Sequence, residues 1–224
     1  MKKKEMPEME RIKPSIKDII LGITLVLLYF SSLLWAEYLP DSRIVRFIAS
    51  ITNDLAILIF GIIIFFKELK TALKAFKNSF SAYAKYILSR VGIMFVVVIA
   101  LNVIAMTICK QGNSVNQQTI ESLPKWYSIP MAVIWAPIVE ELIFRGVLRR
   151  LIKNNTLFII VSAIVFGLLH TVSEATIFNM IIMGIPYAFL GAFLAHIYTK
   201  TNNIASNISA HAVYNFIGAM LTLM

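Results

Sequence analysis

The sequence predicts an all-α fold: a polytopic bundle of about seven transmembrane helices with one basic amphipathic helix at the membrane interface. Hydrophobic residues make up 58% of the 224 residues and charged residues only 15%, unlike the balance of a soluble domain. The apolar residues form runs of ~20, the length that crosses a bilayer. The basic residues stand between these runs, so the net charge of +9 follows the membrane pattern and no nucleic-acid partner is expected.

The apolar runs divide the chain into spans in a simple order. No internal repeat or separate soluble region is visible, so residues 1–224 are expected to form a single integral membrane domain. After a polar, basic start at 1–18, the predicted spans cover residues 19–35, 47–66, 91–109, 129–151, 157–171, 177–197 and 204–223. The fifth run is short, so a re-entrant fifth segment or an eighth helix is the alternative to seven spans.

The stretch between the second and third spans, residues 67–90, is predicted to lie on the membrane surface. Its lysines recur at spacings of three and four, with Leu and Phe between them: Lys67, Lys70, Lys74 and Lys77. This pattern is typical of a basic amphipathic interfacial helix. A solvated linker helix is the alternative.

The distribution of basic residues predicts a cytoplasmic N-terminus. With that orientation the inner segments hold 17 Lys and Arg residues and the outer loops hold 4. Because an excess of Lys and Arg marks the cytoplasmic side, the polar loop at 110–128 is expected outside.

Two adjacent carboxylates and an arginine lie inside the fourth predicted span. Glu141 and Arg145 are four residues apart, so they share a helix face and can pair. Glu140 points about 100° away from that pair. Pro137 removes a backbone donor, which is expected to free the carbonyl of Val133 and to kink the helix just before the acidic residues. The hypothesis is that Arg145 holds Glu141 while Glu140 is kept for chemistry; a buried structural ion pair is the alternative.

Two later spans carry further polar residues on one helix face each. Phe166 and His170 are four apart in the fifth span, and His211 and Asn215 are four apart in the seventh. With a rise of 1.5 Å per residue, His170, His211, Asn215 and Glu140 all fall roughly 10–20 Å from the cytoplasmic end of their spans. We therefore expect these polar groups to meet. His196, at the end of the sixth span, is expected at the interface, and Asp54 is expected to cap a helix start or face water.

This set of side chains indicates two kinds of chemistry. A carboxylate and an imidazole can take a proton from water, and an imidazole and an amide can donate hydrogen bonds to an oxyanion. Glu140, His170 and His211 could instead hold a divalent metal such as zinc with an open position. A third alternative is that each histidine only makes a helix–helix hydrogen bond.

Small residues recur at every fourth position of the sixth predicted span, at Gly184, Ala188 and Ala192. Small residues at this spacing let helices approach closely. The face is predicted to pack on the fourth or the seventh span.

Taken together, the Glu-Glu-x-x-x-Arg, Phe-x-x-x-His and His-x-x-x-Asn motifs resemble the signature of the CPBP intramembrane protease family. This family contains the CAAX-prenyl endoproteases and the bacteriocin-processing and bacteriocin-immunity proteins, also called the Abi family. The resemblance covers residues 129–220. It implies that Glu140 and His170 activate water and that His211 and Asn215 lie at the oxyanion. In the same reading Glu141, Arg145 and Phe166 support them.

The resemblance implies an intramembrane endopeptidase of a bacterial plasma membrane. Its partners would be the lipid bilayer and a peptide or membrane-protein substrate with an apolar or membrane-associated segment. Self-immunity to a bacteriocin, by proteolysis or by binding the bacteriocin or its receptor, is the alternative function. A cofactor is not fixed by the motifs, and a zinc ion on Glu140, His170 and His211 stays open. A transporter is disfavoured, because the polar groups cluster in the C-terminal half only.

Overall fold

The computed structural model describes residues 14–35 and 38–221, and within them every regular element is a helix and no strand is present. The elements are α1 (Ile16–Trp35), α2 (Arg43–Ile64), α3 (Phe66–Asn78), α4 (Phe80–Cys109), α5 (Val115–Ser122), α6 (Lys125–Pro130), the π-helix π1 (Met131–Trp135), α7 (Ala136–Glu141), the π-helix π2 (Leu142–Val147), α8 (Leu148–Leu151), α9 (Asn155–Thr171), α10 (Ile177–Thr201) and α11 (Ile204–Leu221). The predicted all-α class is confirmed, whereas the basic start at 1–13 and the end of the seventh predicted span lie outside the described residues.

Three of the described helices are long and apolar enough to cross a membrane: Ile44–Ile64, Phe80–Cys109 and Ile177–Thr201. Helix α9 is apolar but has only 17 residues. Residues 125–151 are helical throughout, and two π-helical stretches interrupt the α-helical winding. The predicted count of seven or eight spans is therefore not confirmed, although a helical segment lies at each predicted position.

The predicted amphipathic helix at 67–90 is wrong in its second half. Helix α3 ends at Asn78, Ser79 leaves helical geometry at φ −126° and ψ 32°, and α4 begins at Phe80. Tyr83 and Ile87 are buried, so this half packs into the bundle. The first residues of α4 are thus the start of a 30-residue helix and not part of a surface helix.

Helices α9 and α10 form an antiparallel hairpin whose backbones approach closely. A Cβ atom added at Gly167 would lie 2.9 Å from the Ala188 Cβ and 2.9 Å from the Gly184 carbonyl oxygen. The prediction that Gly184 and Ala188 pack on a neighbouring helix is confirmed. The predicted neighbour is wrong: it is α9, the fifth predicted span, because Gly167 supplies the complementary small surface and the short connection at 172–176 places α9 beside α10.

The close approach at Gly167 predicts that alanine there destabilises the fold. The new methyl group would meet a backbone oxygen that cannot move cheaply, and overpacking of this kind costs about 1–3 kcal/mol. Gly92→Ala is the matched control, since nothing lies within 4 Å of a Cβ there and alanine is the better helix former by ~0.5–1 kcal/mol. Thermal unfolding in detergent should show a lower midpoint for Gly167→Ala and an unchanged or higher one for Gly92→Ala. Equal midpoints would contradict the packing.

Candidate active site

A fully buried ion pair stands at the centre of the site. The Glu141 Oε1 atom lies 3.1 Å from Arg145 Nη1, and neither side chain is exposed, so the predicted pair is present. Arg145 Nη2 donates to the Gly191 carbonyl oxygen at 2.9 Å. The second carboxylate oxygen of Glu141 accepts from Asn207 Nδ2 at 2.8 Å, and Oε1 lies 3.0 Å from His211 Nδ1. The pair thereby joins α7, π2, α10 and α11.

The residues before the acidic pair are wound as a π-helix, π1, and Pro137 explains one of its contacts. At the end of π1 the N–H of Ala136 bonds to the Met131 carbonyl oxygen, five residues back. In the same five-residue register the Ala132 carbonyl would accept a hydrogen bond from the N–H of residue 137. Residue 137 is a proline and has no N–H. Asn215 Nδ2 donates to this carbonyl at 2.7 Å. The predicted distortion at Pro137 therefore frees the carbonyl of Ala132, not that of Val133, and attaches α11 to π1.

Glu140 lies off the ion pair and between two imidazoles. Its Oε1 is 3.9 Å from His170 Nε2, and its Oε2 is 3.9 Å from His211 Nε2. Both separations are longer than a direct hydrogen bond. The residue is 6% exposed, and its Oε2 has no hydrogen-bond partner in the described structure.

Both imidazoles are oriented through their Nδ1 atoms. His170 Nδ1 lies 2.8 Å from the Phe166 carbonyl oxygen, which can only accept, so Nδ1 carries the proton and Nε2 is the basic atom of the neutral ring. The ring is stacked between Phe166, at 4.3 Å, and Tyr187, at 4.8 Å. His211 Nδ1 faces the Glu141 carboxylate, so its Nε2 likewise points toward Glu140.

One cavity of about 540 Å³ connects these side chains. It is lined by Glu140, Phe166, His170, His211 and Asn215, and extends past Tyr187 to the residues at the start of α5. The structure thus brings together the four residues predicted as catalytic, while Glu141 and Arg145 lie behind them. Tyr187 contacts residues at both ends of the cavity. Its ring stacks on His170 at 4.8 Å, and its hydroxyl lies 2.7 Å from Ser114 Oγ, just before α5.

Two polar residues noted in the sequence do not line the cavity. His196 is exposed on α10. Asp54 lies in the middle of α2, where it accepts a hydrogen bond from the Tyr127 hydroxyl at 3.1 Å, so the prediction of a helix cap is wrong. The cap failed because α2 starts at Arg43, earlier than the apolar run suggested.

Sequence reasoning missed Asn207 and Tyr187. Asn207 is fully buried and bonds both Glu141 and the Leu194 carbonyl oxygen. Its position four residues before His211 was an available signal, since it extends the stripe of His211 and Asn215 by one turn. For Tyr187 the sequence offered no signal, because its contacts with His170 and Ser114 cross between helices.

The described residues do not form a metal-binding cluster. Within 14–35 and 38–221 no group of three or more His, Cys, Asp or Glu side chains is arranged to hold an ion. Zinc on Glu140, His170 and His211 stays an alternative from the sequence.

Comparison with known proteins agrees with the motifs. Residues 122–217 match the family model described as type II CAAX prenyl endopeptidase Rce1-like. Over this segment, less than half of the chain, the sequence is similar to the Rce1-like family. The Rce1-like segment contains the residues predicted for the site, from Glu140 to Asn215. The UPF0177 relatives belong to the same CPBP (Abi) family, so the predicted family is confirmed. With the apolar helices, it identifies a membrane protein.

Each of the curated relatives matches only part of this chain. UPF0177 protein YvdC of Lactococcus lactis subsp. lactis (strain IL1403) is 26% identical over 139 residues, which are 59% of this chain and 50% of that protein. An uncharacterized protein of Mycoplasma capricolum subsp. capricolum is 34% identical over 97 residues, 42% of this chain and 27% of that protein. The chain thus spans half or less of the length of the curated relatives it matches. No solved structure matches it significantly.

The geometry predicts different effects for the two adjacent glutamates. Glu141→Gln leaves the buried Arg145 charge uncompensated, which typically costs about 3–5 kcal/mol of stability. Glu140→Gln is the matched control, because no hydrogen bond to its carboxylate is found among the described residues and the two imidazoles lie 3.9 Å away. Unfolding of both variants in detergent should show a large loss for Glu141→Gln and a small one for Glu140→Gln. Equal large losses would favour the purely structural ion cluster.

Proposed function

We propose that this membrane protein is an intramembrane endopeptidase that hydrolyses a peptide bond in a membrane-associated or apolar peptide. The observation that carries the proposal is the Glu140 carboxylate between the Nε2 atoms of His170 and His211, 3.9 Å from each, on the wall of a cavity inside an apolar bundle. The Rce1-like family supports the same reaction class.

Water activation is assigned to Glu140 and His170. A water molecule between two groups 3.9 Å apart can donate a hydrogen bond to each of them. The Phe166 carbonyl holds the His170 proton on Nδ1, so Nε2 is free to accept. Glu140 takes one proton as the water oxygen attacks the peptide carbonyl, and returns it to the leaving nitrogen as the tetrahedral intermediate collapses.

Stabilisation of the oxyanion is assigned to His211 and Asn215. His211 Nδ1 donates to Glu141, so its Nε2 can donate to the oxyanion only when both ring nitrogens carry a proton. An amide nitrogen has two donors. Asn215 uses one on the Ala132 carbonyl and keeps the other for the oxyanion.

Cleavage of a fluorescence-quenched apolar peptide library in detergent micelles tests these roles. Glu140→Gln should abolish cleavage because the proton acceptor is lost, and Asn215→Ala should lower turnover by ~10²–10³, the usual effect of removing one oxyanion donor. His196→Ala, outside the cavity, is the matched histidine control and should cleave normally. Normal cleavage by Glu140→Gln would overturn the assignment. Activity lost on chelation and restored only by zinc would make Glu140, His170 and His211 ligands.

Immunity to a bacteriocin, by proteolysis or by binding, stays a prediction from the resemblance. The same variant separates the two routes. Cells that carry Glu140→Gln and remain immune to the cognate peptide would be protected by binding and not by proteolysis.

We further propose that the N-terminus is cytoplasmic, on the support of the basic-residue distribution. The cavity would then extend toward the outer face, where α5 lies. In a Cys109→Ser background, an impermeant thiol reagent added outside whole cells should label Gly112→Cys and leave Lys77→Cys unlabelled. Gly112 is exposed and a Cβ there meets nothing within 4 Å, so a cysteine at this position is accessible to the reagent. The reverse labelling pattern would reverse the orientation.

A further inference from the structure

Helix α3 is held at the level of the membrane face by its two neighbours. It covers Phe66–Asn78 and is separated by one residue from α2 and by one residue from α4. Both neighbours contain candidate membrane spans, Ile44–Ile64 and Phe80–Cys109. Since the candidate span of α2 ends at Ile64, just before α3 begins, α3, about 20 Å long, starts at the level of the lipid headgroups.

The outer side of α3 carries a stripe of four lysines. All four are exposed, and with 3.6 residues per turn they fall within about 80° of the helix circumference: Lys67, Lys70, Lys74 and Lys77. The only acidic residue of α3, Glu68, lies on another side, where its carboxylate is paired with Arg150 of α8. None of the ion pairs found among the described residues involves these lysines. Within the part of the chain that the structure describes, the stripe therefore presents four positive charges without an acidic partner.

Exposed apolar side chains border the lysine stripe. Phe66 is 59% and Leu73 47% exposed. A shallow groove of about 330 Å³ lies between Leu73, Asn78 and three of the lysines, Lys70, Lys74 and Lys77. Ammonium groups beside exposed apolar side chains are the arrangement by which interfacial helices contact headgroups and acyl chains together.

The opposite side of α3 is fixed to the bundle, so the stripe cannot turn inward. Ala72 is buried, and its carbonyl oxygen accepts from Asn203 Nδ2 at 3.0 Å. The Phe76 ring stacks on Tyr83 of α4 at 5.3 Å. These contacts orient the lysines outward, toward the bilayer surface.

We propose that the lysine stripe of α3 binds anionic phospholipid headgroups, with Lys70, Lys74 and Lys77 around the phosphate and Leu73 against the acyl chains. The uncompensated charge selects anionic over zwitterionic lipid. The position beside two candidate spans and the exposed Leu73 favour a lipid over a free phosphate ion.

Lipid binding at α3 also affects α11, the helix that carries His211 and Asn215. Asn203, which holds the Ala72 carbonyl, receives a hydrogen bond from Ser206 N at 3.0 Å on its Oδ1 and so caps the start of α11. One turn further along α11, Asn207 holds Glu141. A lipid that stabilises α3 therefore stabilises the end of α11 on which the ion pair depends.

The test compares lipid binding by two charge-matched triple variants of the full chain in detergent. Lys70→Gln/Lys74→Gln/Lys77→Gln removes three stripe charges, and Lys85→Gln/Lys110→Gln/Lys200→Gln removes three exposed lysines elsewhere. Native mass spectrometry titrations with phosphatidylglycerol and phosphatidylcholine give the affinities. The stripe variant should bind phosphatidylglycerol about 100-fold more weakly than the wild type, as three basic residues at an anionic surface predict. The control variant should bind nearly as the wild type does.

Three outcomes would overturn the proposal. They are equal phosphatidylglycerol binding by the two variants, equal binding of phosphatidylcholine and phosphatidylglycerol by the wild type, and displacement of phosphatidylglycerol by millimolar inorganic phosphate. Thermal unfolding in phosphatidylcholine micelles verifies that the stripe variant is folded. If it is not folded, the single variant Lys74→Glu takes its place and has to bind phosphatidylglycerol several-fold more weakly than Lys85→Glu.

Discussion

The buried ion pair of Glu141 and Arg145 is the interaction on which the rest of the site depends. Two charges at zero exposure carry a large desolvation cost, which is offset only when the geometry is good and further hydrogen bonds are made. Those bonds come from Gly191 on α10 and from Asn207 and His211 on α11. Because the buried charges are stabilised only while these bonds exist, the ion pair fixes α10 and α11 relative to the helix that carries Glu141 and Arg145.

The two adjacent glutamates have different surroundings because one residue of helix turns the side chain by about 100°. Glu141 faces the interior, where Arg145 on the next turn and Asn207 and His211 of α11 contact its carboxylate. Glu140 faces the cavity, where its carboxylate lies 3.9 Å from both imidazoles and keeps room for a reacting group. Glu141, which is held in the ion pair, and Glu140, the proposed proton acceptor, are therefore neighbours in sequence. The contacts that fix Glu141 also fix the position of Glu140.

A proline and a π-helix connect the last helix to this arrangement. Pro137 lacks the N–H that would satisfy the Ala132 carbonyl in the register of π1, and Asn215 supplies the donor at 2.7 Å. π-helical turns are rare and occur frequently at functional sites. Here the π-helical winding leaves the Ala132 carbonyl oxygen as a fixed backbone partner for Asn215. This bond orients the second N–H of the Asn215 amide.

The sequence by itself determined the features that depend on local spacing. The membrane class, the positions of the helices, the Glu141–Arg145 pair and the convergence of Glu140, His170, His211 and Asn215 all follow from apolar run length, i,i+4 spacing and depth along a helix. Only the tertiary structure decided what depends on contacts between helices. It ended α3 at Asn78, placed α10 against α9 and brought Asn207 and Tyr187 to the site. These outcomes depend on the shape of the helix on the other side of each contact, as where Gly167 meets Ala188. A periodic sequence pattern describes one face of its own helix and carries no information about the shape of the helix that packs against it.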